Sequence, residues 1–312
     1  MGWVKMKVLV TGGAGFIGSH VVDRLMSEGN EVVVLDDLFS GRLDNIKRHL
    51  KEPGFRFVEG DIRQSRTVEG ALGGVDAVVH EAAIVSVPLS IESPALTNEV
   101  NVLGTLNLLE ASLKADVKRF VYASSCAVYG AASELPVNER APPNPLSPYA
   151  GSKLAAEEHC KAFYKNHGIE TVCLRYFNVY GPRQAAGEYA GVMVKFLERI
   201  RGGQPPIIFG DGEQTRDFIY VSDVVEATLL ALHHPKAAGE VFNVGTGEAV
   251  TINQLCTLFL KALDRLDLKP VHEDAKPGDI RQSRADITKA RQVLGFRPKV
   301  SLEDGIKRLT ST

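Results

Sequence analysis

Residues 7–18 read KVLVTGGAGFIG, and this stretch decides the fold. It begins as a short apolar strand, passes through a glycine turn and continues into helical periodicity up to residue 28. A strand, a glycine turn and a helix in this order bring backbone N–H groups and a helix N-terminus against a pyrophosphate. The glycines are spaced GxxGxxG rather than GxGxxG, which suggests a subfamily of the dinucleotide-binding folds. The predicted cofactor contacts of this turn are Gly12, Gly15, Phe16, Ile17 and Gly18.

The acid that should accompany such a turn is Asp36. It ends the next predicted strand, residues 31–35, about 20 residues downstream of the turn. A carboxylate there can accept hydrogen bonds from the adenosine ribose hydroxyls and repel a 2′-phosphate, which favours NAD over NADP. Arg42 follows a few residues later and can hold a phosphate, so NADP stays open as an alternative.

Further apolar strands alternate with helices, and each ends in small or polar residues, as expected of parallel strands whose carboxyl ends face a ligand. Asp61 and Ile62 suit the adenine edge, and Ser124 lies at the catalytic centre. Ala82 and Ala83 permit a close approach of the cofactor, although tight packing explains them equally well. His80 is interpreted as a strand-end histidine, because no cluster with metal-ligand spacing lies nearby and no metal site is predicted.

The predicted fold is α/β: a doubly wound parallel-sheet Rossmann domain with a smaller α/β substrate domain. The NAD-binding domain should span residues 1–176, and residues 220–244 should return to it. The substrate domain should comprise residues 177–219 and 245–312. At 312 residues the chain is long enough for both.

Composition limits the partners. The formal net charge is −2 and no long basic run is present, so neither nucleic acid nor a membrane surface is expected as a partner. The four cysteines form no CxxC pair and are expected to be reduced, buried small hydrophobes. The sequence shows no signal-peptide pattern and no apolar run of membrane-spanning length, so a cytoplasmic protein is expected.

The chemistry is predicted at SPYAGSK, residues 147–153. Ser147 and Pro148 are typical of an N-cap and first helical position, and Tyr149 and Lys153 are four residues apart and so share a helix face. A phenol with a pKa near 10 acts as a base near neutral pH only if its phenolate is stabilised by roughly 4 kcal/mol. The lysine ammonium and a positively charged nicotinamide can supply that. Spacing alone is equally compatible with an exposed Tyr and Lys on an ordinary helix.

Taken together, these motifs resemble the extended short-chain dehydrogenase/reductase family. The resemblance rests on the turn at residues 11–18, Asp36, Asn101, the run SSCAVYG at residues 124–130 and YAGSK at residues 149–153. It implies that Asn101, Tyr149 and Lys153 help to bind the cofactor. The long periodic segment from residue 94 to 115 is predicted to be a core helix. Together with the helix after Tyr149 it is expected to pack against a second subunit, so a homodimer is expected.

The residues after the active-site serine indicate a branch of this family. Sugar-nucleotide 4,6-dehydratases carry Asp-Glu there and uronate decarboxylases carry glutamate, because their reactions need an added acid/base group. Here Cys126 and Ala127 occupy those positions. The chain is therefore similar to UDP-hexose 4-epimerases, with Ser125, Tyr149 and Lys153 as the catalytic set. Ser125 is preferred to Ser124 by counting back from Val128-Tyr129-Gly130.

That resemblance implies reversible oxidation of the sugar 4-hydroxyl, a 4-keto intermediate that turns over in the site, and NAD that is tightly bound and not consumed. Phe177 would lie near the nicotinamide, Phe209 would help to cradle the uracil, and Arg216 would grip the diphosphate. A surface salt bridge from Arg216 to Asp217 or another acid is the alternative. The predicted UDP-hexose contacts are Ser86, Ser125, Asn178, Phe209, Arg216, Lys276, Asp279 and Ser283.

The expected substrates are UDP-glucose and UDP-galactose, with N-acetylated forms accepted as well. Lys276 stands where the family commonly has arginine, so a bidentate phosphate clamp is reduced to one ammonium. Ser283 stands where glucose/galactose-restricted epimerases can carry tyrosine, and a small residue leaves room for an N-acetyl group. Two alternatives remain: an NAD(P)-dependent reductase of 4-ketosugar nucleotides, and a non-catalytic NAD-binding sensor.

Overall fold

The computed structural model describes residues 5–185, 191–275 and 278–311. The strands are β1 (Lys7–Thr11), β2 (Glu31–Asp36), β3 (Phe55–Glu59), β4 (Ala77–His80), β5 (Arg119–Ser125), β6 (Glu170–Tyr176), β7 (Asn178–Tyr180), β8 (Ile207–Phe209), β9 (Thr215–Arg216), β10 (Phe218–Tyr220), β11 (Val241–Val244), β12 (Val250–Thr251) and β13 (Val271–Glu273). The α-helices are α1 (Phe16–Ser27), α2 (Ser65–Ala71), α3 (Val87–Glu92), α4 (Pro94–Asn98), α5 (Gly104–Lys114), α6 (Pro148–His167), α7 (Val192–Arg201), α8 (Val221–His233), α9 (Ile252–Ala262) and α10 (Leu302–Thr310).

Seven parallel strands form the central sheet in the order β11-β6-β5-β4-β1-β2-β3. The order reverses between β1 and β4, whose pairing ends at Thr11 opposite His80. The connections from these two strands leave in opposite directions, which opens a crevice at their carboxyl ends. The doubly wound α/β fold is thereby confirmed, and the crevice is where a ligand is expected.

The sheet is covered on both faces, which is why its central strands are continuously apolar. Alternate residues of β1 serve opposite cores: Val8 and Val10 pack with α1 and α8, whereas Leu9 packs with α2, α5 and α6. Strand β11 pairs with β6 at one edge, so the chain re-enters the sheet after residue 220.

The long helix expected from residue 94 to 115 is interrupted. Helix α4 is followed by a π-helical turn, Glu99–Leu103, and then by α5. Asn101 lies inside this turn and is buried. Such π-turns are often found at functional sites.

A smaller unit follows the sheet. It contains three two-stranded pairings, β7 with β10, β8 with β13, and β9 with β12. Its own core includes Phe196, Leu255 and Phe259 from α7 and α9. No helix in the described ranges combines the length and the apolar character that crossing a bilayer requires.

Candidate active site

Two cavities meet at the carboxyl ends of the central strands. The first, of about 700 Å³, runs from the glycine turn to Tyr149 and Lys153. The second, of about 250 Å³, lies between the sheet and the smaller unit. They share a wall made of Ser125, Tyr149, Tyr176 and Phe177. A group held in the first cavity can thus face a group held in the second across these side chains.

The glycine turn packs so closely against neighbouring backbone that larger residues would not fit at two of its positions. Gly12 has φ +66°, and a Cβ there would lie 2.7 Å from the Ala82 nitrogen. A Cβ on Gly18 would lie 2.2 Å from the Gly12 oxygen. Any residue larger than glycine at position 18 would therefore push the first turn of helix α1 away from the glycine turn. The turn therefore packs directly on the Ala82 backbone and leaves its N–H groups beside the first cavity, a cradle that fits a pyrophosphate.

Asp36 ends β2 and lines the same cavity. Its carboxylate accepts hydrogen bonds from the Ala14 and Leu38 backbone nitrogens, both at 2.9 Å. Burial raises the pKa of Asp36, while these two hydrogen bonds oppose the rise. Each carboxylate oxygen can accept a further hydrogen bond, so the side chain suits the ribose hydroxyls of NAD.

Asp61 is already paired within the protein. Arg63 donates to Asp61 Oδ2 at 2.8 Å from Nε and 2.5 Å from Nη2, and to Asp61 Oδ1 at 3.1 Å from Nε. It also donates to Glu99 at 3.1 Å. The Arg63 hydrogen bond is the main reason that the pKa of Asp61 is lowered. Asp61, Ile62 and Arg63 all line the first cavity, so the arginine stands beside the predicted adenine contacts.

His80 is a structural residue. Its Nε2 lies 2.8 Å from the Thr105 hydroxyl, which itself donates to the Asn101 oxygen at 2.7 Å, so Nε2 must carry the hydrogen. Its Nδ1 then accepts from the Thr11 hydroxyl at 2.7 Å. Burial lowers the pKa of His80 to about 3, which keeps the ring neutral. This histidine joins β1, β4 and α5.

Asn101 does not line either cavity. Its amide bonds to both backbone groups of Ile84, at 2.8 and 2.9 Å, and donates to the Ser152 hydroxyl at 2.9 Å. It thus fixes the segment after β4 to the catalytic helix, and a direct contact with the cofactor stays a prediction.

Helix α6 presents Tyr149 as expected from its first turn. The Ser147 hydroxyl accepts from the Ala150 nitrogen at 3.1 Å, and Pro148 takes the first helical position. In the protein alone, however, burial raises the pKa of Tyr149 to about 12, and the hydrogen bond to Ser125 opposes this only in part. The lowering of the Tyr149 pKa expected from Lys153 is therefore not found in the protein alone, where burial is the largest effect and the opposing hydrogen bond comes from Ser125.

Lys153 is one turn further along α6 and is only 3% exposed. Its Nζ donates to the Ala123 oxygen at 2.8 Å and lies 5.1 Å from the centre of the Tyr122 ring. Burial lowers the pKa of Lys153 to about 8, with Glu81 acting in the opposite direction. The ammonium is therefore held at the wall of the first cavity, where it can donate to a ribose hydroxyl.

The two serines at the end of β5 have different partners. Ser124 donates to a Glu157 carboxylate oxygen at 2.9 Å. The Ser125 hydroxyl accepts from the Ala127 nitrogen at 3.1 Å and is hydrogen-bonded to Tyr149. Ser125 also lines both cavities, whereas Ser124 lines only the first. This geometry favours Ser125 as the partner of the reacting oxygen.

The second cavity gathers part of the predicted substrate set. Asn178, Arg216 and Ser283 line it. Arg216 forms an ion pair with Asp279. A salt bridge was the alternative prediction for this arginine, and its partner is Asp279 rather than Asp217. Asp217 is instead buried and accepts four hydrogen bonds, from Thr246, Gly247 and Ala285.

Ser86, Phe209 and Asp279, which were also predicted to bind the substrate, do not line the second cavity. Ser86 caps α3 by accepting from the Leu89 nitrogen at 3.2 Å, and Phe209 ends β8 outside the cavity lining. Lys276 lies outside the described residues. Of the predicted cofactor residues, those that line the first cavity are Gly12, Gly15, Phe16, Ile17, Gly18, Asp36, Asp61, Ile62, Ala82, Ala83, Ser124, Tyr149, Lys153 and Phe177.

Sequence reasoning missed two residues of this site. Glu81 lines the first cavity, and its carboxylate accepts from the Tyr176 hydroxyl at 2.9 Å. The available signal was an acid placed directly after the central strand β4, one residue before Ala82. The second residue, Tyr176, ends β6 and lines both cavities. Of the cysteines, Cys160, Cys173 and Cys256 are buried as expected, whereas Cys126 is partly exposed and lines the second cavity.

Comparison with known proteins relates this geometry to an enzyme family. Residues 8–245 match the family described as NAD dependent epimerase/dehydratase. A putative UDP-glucose 4-epimerase of Methanocaldococcus jannaschii is 42% identical over 306 residues, which cover 97% of each chain.

Solved structures are similar over nearly the whole chain. The UDP-glucose 4-epimerase of Thermotoga maritima, solved with UDP-glucose, is 42% identical with a TM-score of 0.93 and 98% coverage of each chain. The UDP-N-acetylglucosamine 4-epimerase of Methanobrevibacter ruminantium, in complex with UDP-N-acetylmuramic acid, is 37% identical with a TM-score of 0.94, covering 99% of this chain and 98% of that one.

Proposed function

The chain belongs to the NAD dependent epimerase/dehydratase family, and on that premise we propose that it is an isomerase that inverts C4 of UDP-hexoses with NAD as a retained cofactor. The proposed substrates are UDP-glucose and UDP-galactose together with their N-acetylated counterparts. The proposed catalytic residues are Ser125, Tyr149 and Lys153.

One observation carries the proposal. The shared wall between the cavities brings Ser125 and Tyr149 to face the second cavity, and among the described residues that line this cavity none has a carboxylate side chain. Cys126 and Ala127 occupy the wall beside Ser125. Burial raises the pKa of the Cys126 thiol to about 12, so it stays protonated and is a poor base. The wall thus supports proton transfer at one sugar oxygen but lacks the added acid/base pair that water elimination needs.

NAD, when bound in the first cavity, supplies a reversible acceptor for the C4 hydrogen and its electron pair. The chain supplies the proton chemistry. Tyr149 removes the proton of the sugar 4-hydroxyl and later returns it, while Ser125 donates a hydrogen bond to the same oxygen. The Ala127 nitrogen donates to the Ser125 oxygen, so the serine can act as a donor. Its hydrogen is directed to Tyr149 in the protein alone and would be shared with the sugar oxygen in the complex. The product of the first half is a 4-keto sugar, which receives hydrogen on its other face after turning in the cavity.

The pKa of Tyr149 shows how much the bound cofactor must contribute. A phenol with a pKa of about 12 lies about five units above neutrality, which corresponds to roughly 7 kcal/mol for ionisation at pH 7. The cationic nicotinamide and the Lys153 ammonium are the charges available to stabilise the phenolate. Tyr149 is therefore expected to become an effective base only in the cofactor complex.

The tolerance for N-acetylated sugars rests on Ser283. This small residue lines the second cavity together with Gln282 and Ile280.

A homodimer is proposed as the working form. Its support is the exposure of two large apolar side chains on the segment that contains α5, Leu103 at 58% and Leu113 at 39%.

The test is incubation of the purified protein, without added reductant, with UDP-galactose and separately with UDP-N-acetylgalactosamine. Chromatography should show both gluco-epimers. Conversion of UDP-galactose alone would contradict the open sugar pocket. No conversion of either substrate, together with oxidation of added NADPH by a 4-ketosugar nucleotide, would replace the epimerase with a reductase.

A further inference from the structure

Glu81 is a partly buried acid that the proposed mechanism does not use. It follows β4 directly and lines the first cavity at the end that also contains Tyr149 and Lys153. Among the described residues that line this cavity, the other carboxylates are Asp36 and Asp37 at the end of β2 and Asp61 after β3. Those strands lie on the far side of β1, away from β5 and the catalytic wall. Within this described lining, Glu81 is thus the carboxylate at the reacting end.

The side chain of Glu81 is held in place from two further elements. The Tyr176 hydroxyl on β6 donates to one of its oxygens at 2.9 Å and also lies 2.9 Å from the Thr228 hydroxyl. Thr228 belongs to α8 and is fixed by a 2.9 Å hydrogen bond to the Val224 oxygen. The chain Thr228, Tyr176, Glu81 therefore keeps the carboxyl group at one place on the cavity wall.

The charged and titratable groups that face Glu81 are Tyr176 from β6 and, from α6, Lys153 and Tyr149. Burial raises the pKa of Glu81 to about 7, and the Tyr176 hydrogen bond and the Lys153 charge oppose the rise. In the protein alone, the pKa of this carboxyl group thus lies near neutrality, so its ionisation responds to nearby charge. A positive charge brought into this end of the cavity would favour the ionised form.

We propose that Glu81 makes the protein discriminate between the two redox states of its cofactor, because its carboxylate stabilises the cationic nicotinamide of NAD⁺ and not the neutral ring of NADH. The inference rests on the proposed function and deepens it. An epimerase must start each cycle with the oxidised cofactor, and Glu81 biases the bound pool toward that state. Glu81 is a positioning residue in this sense, since it acts on the cofactor charge and touches neither reacting sugar atom.

Proton linkage gives the sign of the pH effect. Because NAD⁺ favours ionised Glu81, binding of NAD⁺ below about pH 7 releases a proton from this group, whereas binding of NADH does not. The preference for NAD⁺ over NADH should therefore grow as the pH rises through about 7. Lys153, whose pKa is lowered to about 8 by burial, produces a change of the same sign at higher pH. The contribution of Glu81 is the part of this pH-dependent change in NAD⁺/NADH preference that is lost when the charge of Glu81 is removed.

The experiment is exchange of the bound cofactor against mixtures of NAD⁺ and NADH of known ratio, followed by gel filtration. The fraction of reduced cofactor on the protein is then read from its near-ultraviolet absorbance. Glu81→Gln keeps an oxygen to accept from Tyr176 but removes the charge. At about pH 8, the preference of Glu81→Gln for NAD⁺ over NADH should be about tenfold lower than that of the wild type, equivalent to ~30 mV for a two-electron couple. Its pH dependence around 7 should also be lost.

Tyr176→Phe is the second variant. It keeps the Glu81 charge but removes the hydrogen bond that lowers the pKa of Glu81. The pH step, which is the rise of the NAD⁺/NADH preference as Glu81 ionises, should therefore move to higher pH and keep its size. An unchanged NAD⁺/NADH preference in Glu81→Gln, or an unshifted step in Tyr176→Phe, would overturn the proposal. No sugar is present in this assay, so its failure is distinct from a failure of UDP-galactose conversion.

Discussion

The Ser124 hydroxyl donates to Glu157 at 2.9 Å, on the side of β5 that carries the buried Glu157–Arg175 pair. Its neighbour Ser125 is bonded to Tyr149 and faces the sugar-sized cavity. Successive side chains of a strand point to opposite faces, so one serine must serve the core and the other the site. The choice between them has a direct consequence for mutagenesis.

Substituting the two serines should separate activity from stability. Ser125→Ala removes a hydrogen bond to the reacting oxygen, and kcat should fall by about 100-fold. Ser124→Ala leaves a buried carboxylate without one donor, and the free energy of unfolding should fall by about 1–3 kcal/mol. Steady-state kinetics with UDP-galactose and urea unfolding measure the two effects. If Ser124→Ala showed the larger loss of kcat, the assignment would have to be reversed.

Removing the Tyr149 hydroxyl should stop turnover without releasing the cofactor. Tyr149→Phe keeps the ring in the shared wall but has no proton acceptor, so kcat should fall by at least about 1000-fold. Cofactor content, measured after denaturation of the purified protein, should match the wild type. Tyr164→Phe is the matched control, because Tyr164 lies on the same helix and is 40% exposed. Full activity in Tyr149→Phe would disprove the proton-transfer role.

The features that could be predicted from the sequence are those that depend on residues close together in the chain. The glycine turn, the acid after β2 and the Tyr149–Lys153 pair each depend on a few neighbouring residues and on standard helix and strand geometry. The partners of these groups could not be predicted, because they come from far along the chain. Glu81 meets Tyr176 across 95 residues. Only the folded order of β4, β5 and β6 brings those positions together.

The ionisation of the site residues could not be predicted from the sequence for the same reason. A lysine one turn from a tyrosine suggests a lowered phenol pKa, but the burial that raises the pKa of Tyr149 depends on the fold around the helix, which no local pattern reveals. Similarly, Arg216 lines the second cavity, while its ion pair with Asp279 depends on a loop 63 residues later. Contacts fixed by tertiary packing determine which predicted groups are free to bind a ligand.

The buried pair behind the active site should make stability depend on pH. Glu157 accepts from Arg175 Nη2 at 2.6 Å and Nε at 3.0 Å. Burial alone would raise the pKa of Glu157, but Arg175 and Lys161 outweigh it and the pKa is lowered. A lowered pKa adds stability above the ordinary value of 4.5, and this stability is lost as the pH falls through the folded-state pKa.

Glu157→Gln should therefore reduce the free energy of unfolding by about 3–5 kcal/mol at neutral pH, since it leaves Arg175 without a countercharge. The difference from wild type should begin to shrink as the pH falls below about 4.5, where Glu157 of the unfolded chain takes up a proton. It should close only below the lowered folded-state pKa, where the native carboxylate is protonated as well. Urea unfolding at several pH values measures it. Glu158→Gln is the control, because Glu158 is 60% exposed and its ion pair with Lys161 should contribute less than about 1 kcal/mol. A constant Glu157→Gln deficit down to about pH 3 would contradict the linkage.

The size of the residue at position 283 should set the choice of sugar. Ser283 lines a cavity of about 250 Å³ next to Gln282 and Arg216, so a tyrosine there would fill space that an N-acetyl group needs. For Ser283→Tyr, kcat/KM with UDP-N-acetylgalactosamine should fall by at least about 100-fold, equivalent to ~2.7 kcal/mol, while the value with UDP-galactose should change only a few-fold. Ser283→Ala keeps the space open and should leave the ratio of the two kcat/KM values near that of the wild type. Equal losses with both sugars in Ser283→Tyr would show that the side chain blocks the cavity as a whole and does not select at the 2-substituent.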